Sequence, residues 1–266
     1  MPNAFTRPLA AVLGLTLSAL PAAAADICQG FGPQAPRDIA SIDGTNTVSF
    51  DVAPPASEMV LCDIHTHTNA EHKGPGFSKF AGATLHGGYE CSGREHLTPH
   101  ELFMPKAPRK HFGDAAPGDT LEVHWVYTTC GNATAGHGLG TCIPEGCENP
   151  QLRVESQVFL LVNNPHALDF MDFAYQGHTV DGRNQPRALP EGTGEPVVFL
   201  GSTTGPVYTS QECSPYHVTW SVRPNCAKLD INSLYEWGHS GNPFEEHHSH
   251  GVRQLVTAPE LLSPIN

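Results

Sequence analysis

Glycine and proline occur throughout the chain, and they are the strongest constraint on its fold. The 266 residues include 26 Gly and 24 Pro. Proline interrupts the hydrogen bonding of a helix interior, and glycine marks turns. No stretch shows helical periodicity for more than a turn or two. The sequence therefore predicts a mainly β (α+β) fold, in which strands and long loops dominate and the helices are short.

Five segments have the composition of β-strands. Each is rich in β-branched or aromatic residues and is bounded by turn-forming residues. Several contain continuous apolar runs, which are typical of strands buried on both faces. The predicted strands are residues 60–68, 120–129, 152–163, 196–200 and 217–222.

The first 25 residues have the organisation of a secretory signal peptide. They contain one charged residue, Arg7, then an apolar run over residues 9–20 and a small-residue end that suits cleavage after Ala25. The apolar run is shorter than the roughly 20 residues that span a bilayer. We therefore expect a signal peptide at residues 1–25 and one domain at residues 26–266. The mature protein would be secreted or periplasmic, without a membrane span.

The charge of the chain limits the kinds of partner that it can bind, and its cysteine content indicates the compartment in which it folds. With a formal net charge of −13, the chain repels phosphate backbones and anionic lipid, so nucleic-acid and membrane-surface partners are not expected. All eight cysteines follow the predicted signal peptide, and an even number in an exported chain indicates disulfides. Their connectivity cannot be read from the sequence, although Cys142 and Cys147 are candidates to staple the long loop at residues 131–149.

Three histidines on two predicted strands form a candidate metal site. His65 and His67 stand two residues apart, so both project from one face of a strand. Catalytic zinc usually takes three protein ligands and leaves a fourth position for water. His124 on the next strand offers a third ligand, and Glu122, two residues earlier on the same face, can orient it. Asp63 can orient His65 in the same way.

Histidine is abundant in this chain, so the spacing by itself is weak evidence for a site. The sequence has 16 His, and a lone strand histidine is usually a hydrogen-bonded core residue. A second cluster, formed by His247, His248 and His250, has the composition of a solvated tail that binds metal incidentally. A zinc- or copper-binding protein that captures metal with either cluster is therefore an alternative function.

Six sequence blocks in a fixed order resemble those of the carbonic anhydrases. The blocks are Gln34-Ala35-Pro36-Arg37-Asp38-Ile39, His65-Thr66-His67, Ala70-Glu71-His72, Glu122-Val123-His124-Trp125, Gly201-Ser202-Thr203-Thr204 and Val218-Thr219-Trp220. Their order is similar to that of the alpha class, whereas residues 69–77 and the longer insert before His124 look more like the delta class. The resemblance implies a single alpha-carbonic-anhydrase-like domain. Such a domain is built on a central twisted, mostly antiparallel sheet with short peripheral helices and long loops.

The resemblance also implies an activity and a metal. It implies reversible hydration of carbon dioxide to bicarbonate and a proton by a zinc-bound hydroxide, which makes carbon dioxide the small-molecule partner. The Zn²⁺ ligands would be His65, His67 and His124, and Glu122 would support His124. Three imidazoles also suit cobalt and copper, and the sequence leaves the oligomeric state open.

Further roles concern the substrate side of the site. Glu71 would accept a hydrogen bond from a loop threonine, which in turn accepts one from the hydroxide. Thr203 and Thr204 both fit this role, and Thr204 is preferred. The candidate lining residues of an apolar carbon dioxide pocket are Val126, Leu200 and Trp220. Each of these three suits an ordinary core position equally well.

The proton pathway stays open, and the resemblance implies one disulfide. The position of the usual alpha-class shuttle histidine falls near Val48, so His86, His96 or buffer would have to carry the proton.

Exported alpha-class enzymes often bond a cysteine after the threonine loop to one near the N-terminus. The resemblance therefore implies a bond between Cys213 and Cys28.

The segment at residues 63–68 also resembles the first metal motif of PHP-type phosphoesterases and amidohydrolases. Those enzymes are barrels of alternating strands and helices. Eight regular helical segments should then be visible, and they are absent from the sequence. A PHP- or amidohydrolase-like metal-dependent hydrolase is therefore the weaker alternative.

Overall fold

Strands dominate the described part of the chain in the computed structural model. The described residues are 28–41, 43–83, 87–106, 110–203, 208, 212–253 and 255–265. The predicted signal peptide, the shuttle candidate His86 and the preferred threonine, Thr204, lie outside them.

The described residues form ten strands and one α-helix. The strands are β1 (Val60–Thr68), β2 (Lys79–Gly82), β3 (Gly88–Glu90), β4 (Thr120–Thr128), β5 (Leu152–Val162), β6 (Thr179–Val180), β7 (Arg183–Asn184), β8 (Val197–Ser202), β9 (His217–Val222) and β10 (Ala227–Asp230). The helix is α1 (Ile231–His239), and the short 3-10 helices are Ala56–Glu58, Arg94–His96, Leu139–Cys142, Phe170–Asp172 and Pro259–Leu261. The mainly β prediction is confirmed, and each of the five predicted strands is present with its ends within two residues.

Six strands form one mixed central sheet. Their order is β1-β4-β5-β9-β8, and β10 also pairs with β5. The pairs β1–β4, β4–β5 and β8–β9 are antiparallel, whereas β5–β9 and β5–β10 are parallel. The expected mostly antiparallel arrangement thus describes three of the five pairings. Two hairpins, β2–β3 and β6–β7, lie outside this sheet.

Each face of the central sheet belongs to a separate hydrophobic core. Every position of β4 and β5 is buried, as expected from continuous apolar runs. Side chains alternate between the faces, so Val126 joins one core with Trp220, while its neighbour Trp125 joins the other with Trp237 of α1. Polar residues of β4 therefore have no access to bulk water and need partners inside the protein.

A β-bulge in β1 determines which face carries its histidines. Leu61 pairs with Tyr127 but Asp63 pairs with Val126, so the register shifts between them. A bulge adds one residue to a strand and reverses the alternation beyond it. Asp63 and the two histidines after it consequently project from the face opposite to that of Leu61.

Four disulfides connect all the cysteines. The pairs are Cys28–Cys213, Cys62–Cys142, Cys91–Cys226 and Cys130–Cys147, and the described residues contain no free cysteine. The bond implied between Cys28 and Cys213 is present. The expected Cys142–Cys147 staple is wrong, because Cys142 bonds to Cys62 of β1 and Cys147 bonds to Cys130, which follows β4. The loop at residues 131–149 is therefore closed at its base by one bond and tied to β1 by the other.

The single described α-helix is too short for its periodicity to stand out in the sequence. It covers nine residues directly after β10, and its buried Trp237 packs 4.6 Å from Phe170 between ring centroids. None of the described helices has the length and apolar character needed to cross a membrane.

Candidate metal centre

The register of β1 and β4 brings the three predicted ligands together. His65 lies directly opposite His124 in the antiparallel pair. The ring centroids are 5.2 Å apart for His65 and His67, 5.0 Å for His65 and His124, and 4.7 Å for His67 and His124. One ligand nitrogen from each ring lies within 4.8 Å of the other two. Three imidazoles therefore converge on one point of the sheet face.

The geometry of this histidine trio fits a transition-metal ion. His65 Nε2 and His124 Nδ1 are 3.2 Å apart, and two nitrogens bound tetrahedrally to one zinc are separated by about 3.3 Å. His67 and His124 are buried, but the His65 side chain is 27% exposed. Three protein ligands with access from one side are typical of a catalytic zinc site and not of a closed structural site.

The two carboxylates predicted to orient the histidines contact the outer ring nitrogens. Asp63 Oδ2 lies 2.9 Å from His65 Nδ1, and Glu122 Oε1 lies 3.4 Å from His124 Nε2. A carboxylate at one nitrogen selects the tautomer that keeps the other nitrogen free for a metal. In both residues the free nitrogen is the one that faces the centre of the trio.

Glu122 is a fully buried carboxylate with several donors around it. Ser156 Oγ donates to Glu122 Oε1 at 2.8 Å, and the backbone N–H of Glu71 donates to Oε2 at 2.5 Å. Burial raises the pKa of Glu122, but the charge and hydrogen bond of His124, with further histidine contacts, hold it well below its ordinary value. Glu122 is therefore ionised and fixed in position.

Glu71 and His72 pack behind the ligands. Glu71 is 1% exposed, and its Oε2 atom has no hydrogen-bond partner. Burial raises the pKa of Glu71, but the charges of His67 and His124 hold it below its ordinary value. The His72 ring is completely buried and lies 4.5 Å from that of Trp220. Glu71 thus presents an ionised oxygen that can accept one more hydrogen bond.

The two buried histidines of the trio have opposite pKa shifts. Burial lowers the pKa of His124 to about 4, so this imidazole is neutral at neutral pH. Burial also lowers the pKa of His67, but the charges of Glu71 and Glu122 outweigh it and raise the pKa above its ordinary value. A metal binds neutral imidazole, so protons compete with a metal for His67 more strongly than for His124.

Two of the three predicted pocket residues share the face of the histidine trio. Val126 pairs with Val154, which pairs with Trp220, so these three side chains lie on the face of His124. The Trp220 ring is 5.0 Å from that of His124. The site therefore has an apolar wall beside one of its ligands.

Leu200, the third predicted pocket residue, lies on the other side of the sheet. It is buried, but it pairs with Thr219, whereas its neighbour Phe199 pairs with Trp220. Strand alternation consequently directs Phe199, and not Leu200, to the face of the histidines. The structure does not support Leu200 as a lining residue.

Comparison with known families decides the identity of the chain. A family model described as Delta carbonic anhydrase matches residues 56–233, a range that contains both strands of the histidine trio. This chain belongs to the delta carbonic anhydrase family. It is thus a carbonic anhydrase, as the order of the six sequence blocks indicates. Neither a curated protein nor a solved structure gave a match.

In this carbonic anhydrase, a hydrogen bond connects Thr203 and Ser214, which lie on either side of the threonine loop. Thr203 Oγ1 and Ser214 Oγ share a hydrogen bond of 3.0 Å. Gln34 Oε1 accepts from the hydroxyl of Ser202 and from the backbone N–H of Ser214. The N-terminal Gln-x-Pro block therefore holds this loop in place from across the molecule, beside the Cys28–Cys213 bond.

The C-terminal histidine segment is not a solvated tail. The N–H of His250 donates to the carbonyl of Thr66, and its carbonyl accepts from the N–H of Thr68, so the segment pairs in parallel with the edge of β1 at His67. The His250 ring lies 6.3 Å from the rings of His65 and His67. Sequence reasoning missed this neighbour of the site, because no local pattern indicates that residues 66 and 250, which are far apart in the chain, lie side by side.

Proposed function

We propose that this carbonic anhydrase reversibly hydrates carbon dioxide to bicarbonate and a proton, using a zinc ion held by His65, His67 and His124. The observation that carries the proposal is the convergence of three imidazole nitrogens within 4.8 Å in a chain of this family. When bound there, zinc supplies Lewis acidity and lowers the pKa of a coordinated water from 15.7 to about 7.

The protein's own part is to hold the ligands in one tautomer and direction. Asp63 and Glu122 contact the outer nitrogens of His65 and His124, which leaves the other nitrogen of each ring free for the metal. Neutral ligands leave the metal's positive charge undiminished, and this charge is what makes a nucleophile available at neutral pH.

Glu71 is the proposed acceptor for a threonine that orients the attacking oxygen. Its ionised, unpartnered Oε2 supports this role. Thr204 is the preferred partner, because the hydroxyl of the alternative, Thr203, already bonds with Ser214. The threonine would donate to Glu71 and accept from the nucleophile, so that a lone pair points at the carbon atom of the substrate.

The substrate is proposed to lie against the apolar wall of the site. Val126 and Trp220 share the face of the ligands, and Phe199 stacks on Trp220. Carbon dioxide has no charge and gains from an apolar surface. The antiparallel β1–β4 pair that carries the histidines also supports our proposal that the fold is alpha-class-like.

We further propose that the enzyme is exported. Four disulfides are stable in an oxidising compartment, which agrees with a signal peptide at residues 1–25 and a mature domain at residues 26–266. A PHP- or amidohydrolase-like barrel does not fit the mixed central sheet of the described residues. A metal-transport protein needs neither a threonine loop nor Glu71.

The proposal is tested with the purified mature chain and a stopped-flow indicator assay of carbon dioxide hydration. Zinc-loaded enzyme is expected to hydrate carbon dioxide and to be blocked by an aromatic sulfonamide. His124→Ala removes a buried ligand and should lose both zinc and activity, while His166→Ala, at an exposed histidine, should keep both. A folded, zinc-replete wild-type protein with no hydration above the buffer rate would contradict the proposal.

A further inference from the structure

The guanidinium of Arg253 has a nitrogen without a hydrogen-bond partner. The residue is partly buried, and its Nη2 atom is shielded from solvent without any hydrogen-bond partner. Buried donors in proteins are nearly always paired. The Nη2 atom of Arg253 is therefore free to donate to an acceptor that arrives with a ligand.

The chain path brings Arg253 to the site. It follows the segment in which His250 pairs with the edge of β1. Its neighbour Val252 is buried, and a Cβ atom at Gly88, which lies against the carbonyl of Ala70 next to Glu71, would lie 2.6 Å from Val252 Cγ2. Burial lowers the pKa of Arg253, and the charge of Glu71 raises it. Arg253 and the buried carboxylate of the site therefore act on each other electrostatically.

An aromatic ring lies beside the guanidinium. The guanidinium carbon of Arg253 lies 5.7 Å from the ring centroid of Tyr208, a cation–π contact. Such a contact uses the positive charge of the guanidinium and no N–H donor, so Nη2 stays available for an acceptor. Arg253 thus connects the threonine loop with the C-terminal segment while one donor stays vacant.

We propose that Arg253 binds bicarbonate, the anionic partner of the reaction, at the metal centre. This inference rests on the proposed function. Carbon dioxide is neutral and does not need a cation, whereas bicarbonate has a planar carboxylate that matches the fork of a guanidinium. The carboxylates of Asp63, Glu71 and Glu122 repel an anion, and Arg253 offsets that repulsion. A purely structural ion pair with Glu71 would leave neither the vacant Nη2 nor the vacant Glu71 oxygen.

The test compares Arg253→Gln and Arg253→Lys in the full-length mature, zinc-loaded enzyme. Calorimetric titration with sodium bicarbonate should show a Kd raised about 10-fold in Arg253→Gln, since one charge-assisted hydrogen bond is lost. Arg253→Lys should lie between, because it keeps the charge but not the fork. The KM for bicarbonate in the dehydration direction should rise with the Kd, and the zinc content should stay that of the wild type.

Arg187→Gln is the matched control, because Arg187 is exposed and its backbone bonds to Ala174 on the opposite side of the sheet. It removes the same charge and should leave the Kd unchanged. Equal Kd values for the wild type and Arg253→Gln would overturn the inference, and so would a lower kcat at unchanged Kd, which indicates a positioning role. A wild type that binds bicarbonate through Arg253 without hydrating carbon dioxide would contradict the proposed function alone.

Discussion

Among single residues, Glu122 connects the candidate metal centre with the turn that carries Glu71. A buried carboxylate destabilises the folded protein unless opposite charges and hydrogen bonds surround it. Glu122 has both, because His124 lies 3.4 Å away and Ser156 and the Glu71 backbone donate to it. It therefore fixes a ligand's ring and the turn that carries Glu71 at the same time.

We predict that Glu122→Gln weakens zinc binding by about 10- to 100-fold. The amide keeps the shape of the side chain but lacks the charge that orients His124, and one of its positions donates instead of accepting. Competition with a chelating dye measures the Kd for zinc. Glu95→Gln, at an exposed glutamate, is the control, and a Glu122→Gln enzyme with wild-type zinc affinity would contradict the assigned role.

Among the elements, the close packing of β8 on β9 shapes the wall of the site. Trp220 contacts the rings of His72 and His124, and Phe199 lies beside His72 and Trp220. Gly201 shares the face of Phe199, and a Cβ atom there would lie 2.6 Å from Trp220 Cδ1. Only a residue without a side chain lets the indole reach its position.

Gly201→Ala is expected to lower the free energy of unfolding by about 1–3 kcal/mol through overpacking. It should also lower kcat/KM, because Trp220 must move against His124. Urea titration followed by tryptophan fluorescence measures the first effect. Gly131→Ala is the control, since nothing lies within 4 Å of its added Cβ atom. The same stability for both variants would show that the wall is adaptable.

In the whole molecule, disulfides join segments that are far apart in sequence. The Cys28–Cys213 bond spans 185 residues and ends beside the threonine loop, whereas Cys130–Cys147 spans 17. A longer closed loop restricts the unfolded chain more. The Cys28–Cys213 bond therefore affects both the stability of the whole protein and the position of the threonine loop. The Cys130–Cys147 bond affects stability only.

Replacing both cysteines of Cys28–Cys213 by serine should lower the free energy of unfolding by about 5 kcal/mol, against about 3 kcal/mol for Cys130–Cys147. Of the two double variants, the Cys28–Cys213 one alone should also lose kcat at full zinc content, because it releases the segment near Ser214. Denaturant titration and the hydration assay measure both quantities. An equal loss of kcat in both variants would argue against a specific link to the threonine loop.

Local patterns in the sequence were sufficient to predict the five main strands. They were also sufficient to pick out His65, His67 and His124 and to find the six ordered blocks. Alternation and composition act within a few residues, so they are visible without a partner strand. The short strands and α1 escape such reasoning, because a few residues carry too little periodicity.

Only the tertiary structure decided which partner each segment meets. The bulge in β1, the face of Leu200, the bond from Cys62 to Cys142 and the contact of His250 with Thr66 all depend on packing between residues far apart in the chain. Register and pairing follow from the burial of whole faces, which is a property of the assembled sheet. The three histidines of the candidate site could therefore be found one strand at a time, whereas the contact of Arg253 with Tyr208 exists only in the folded chain.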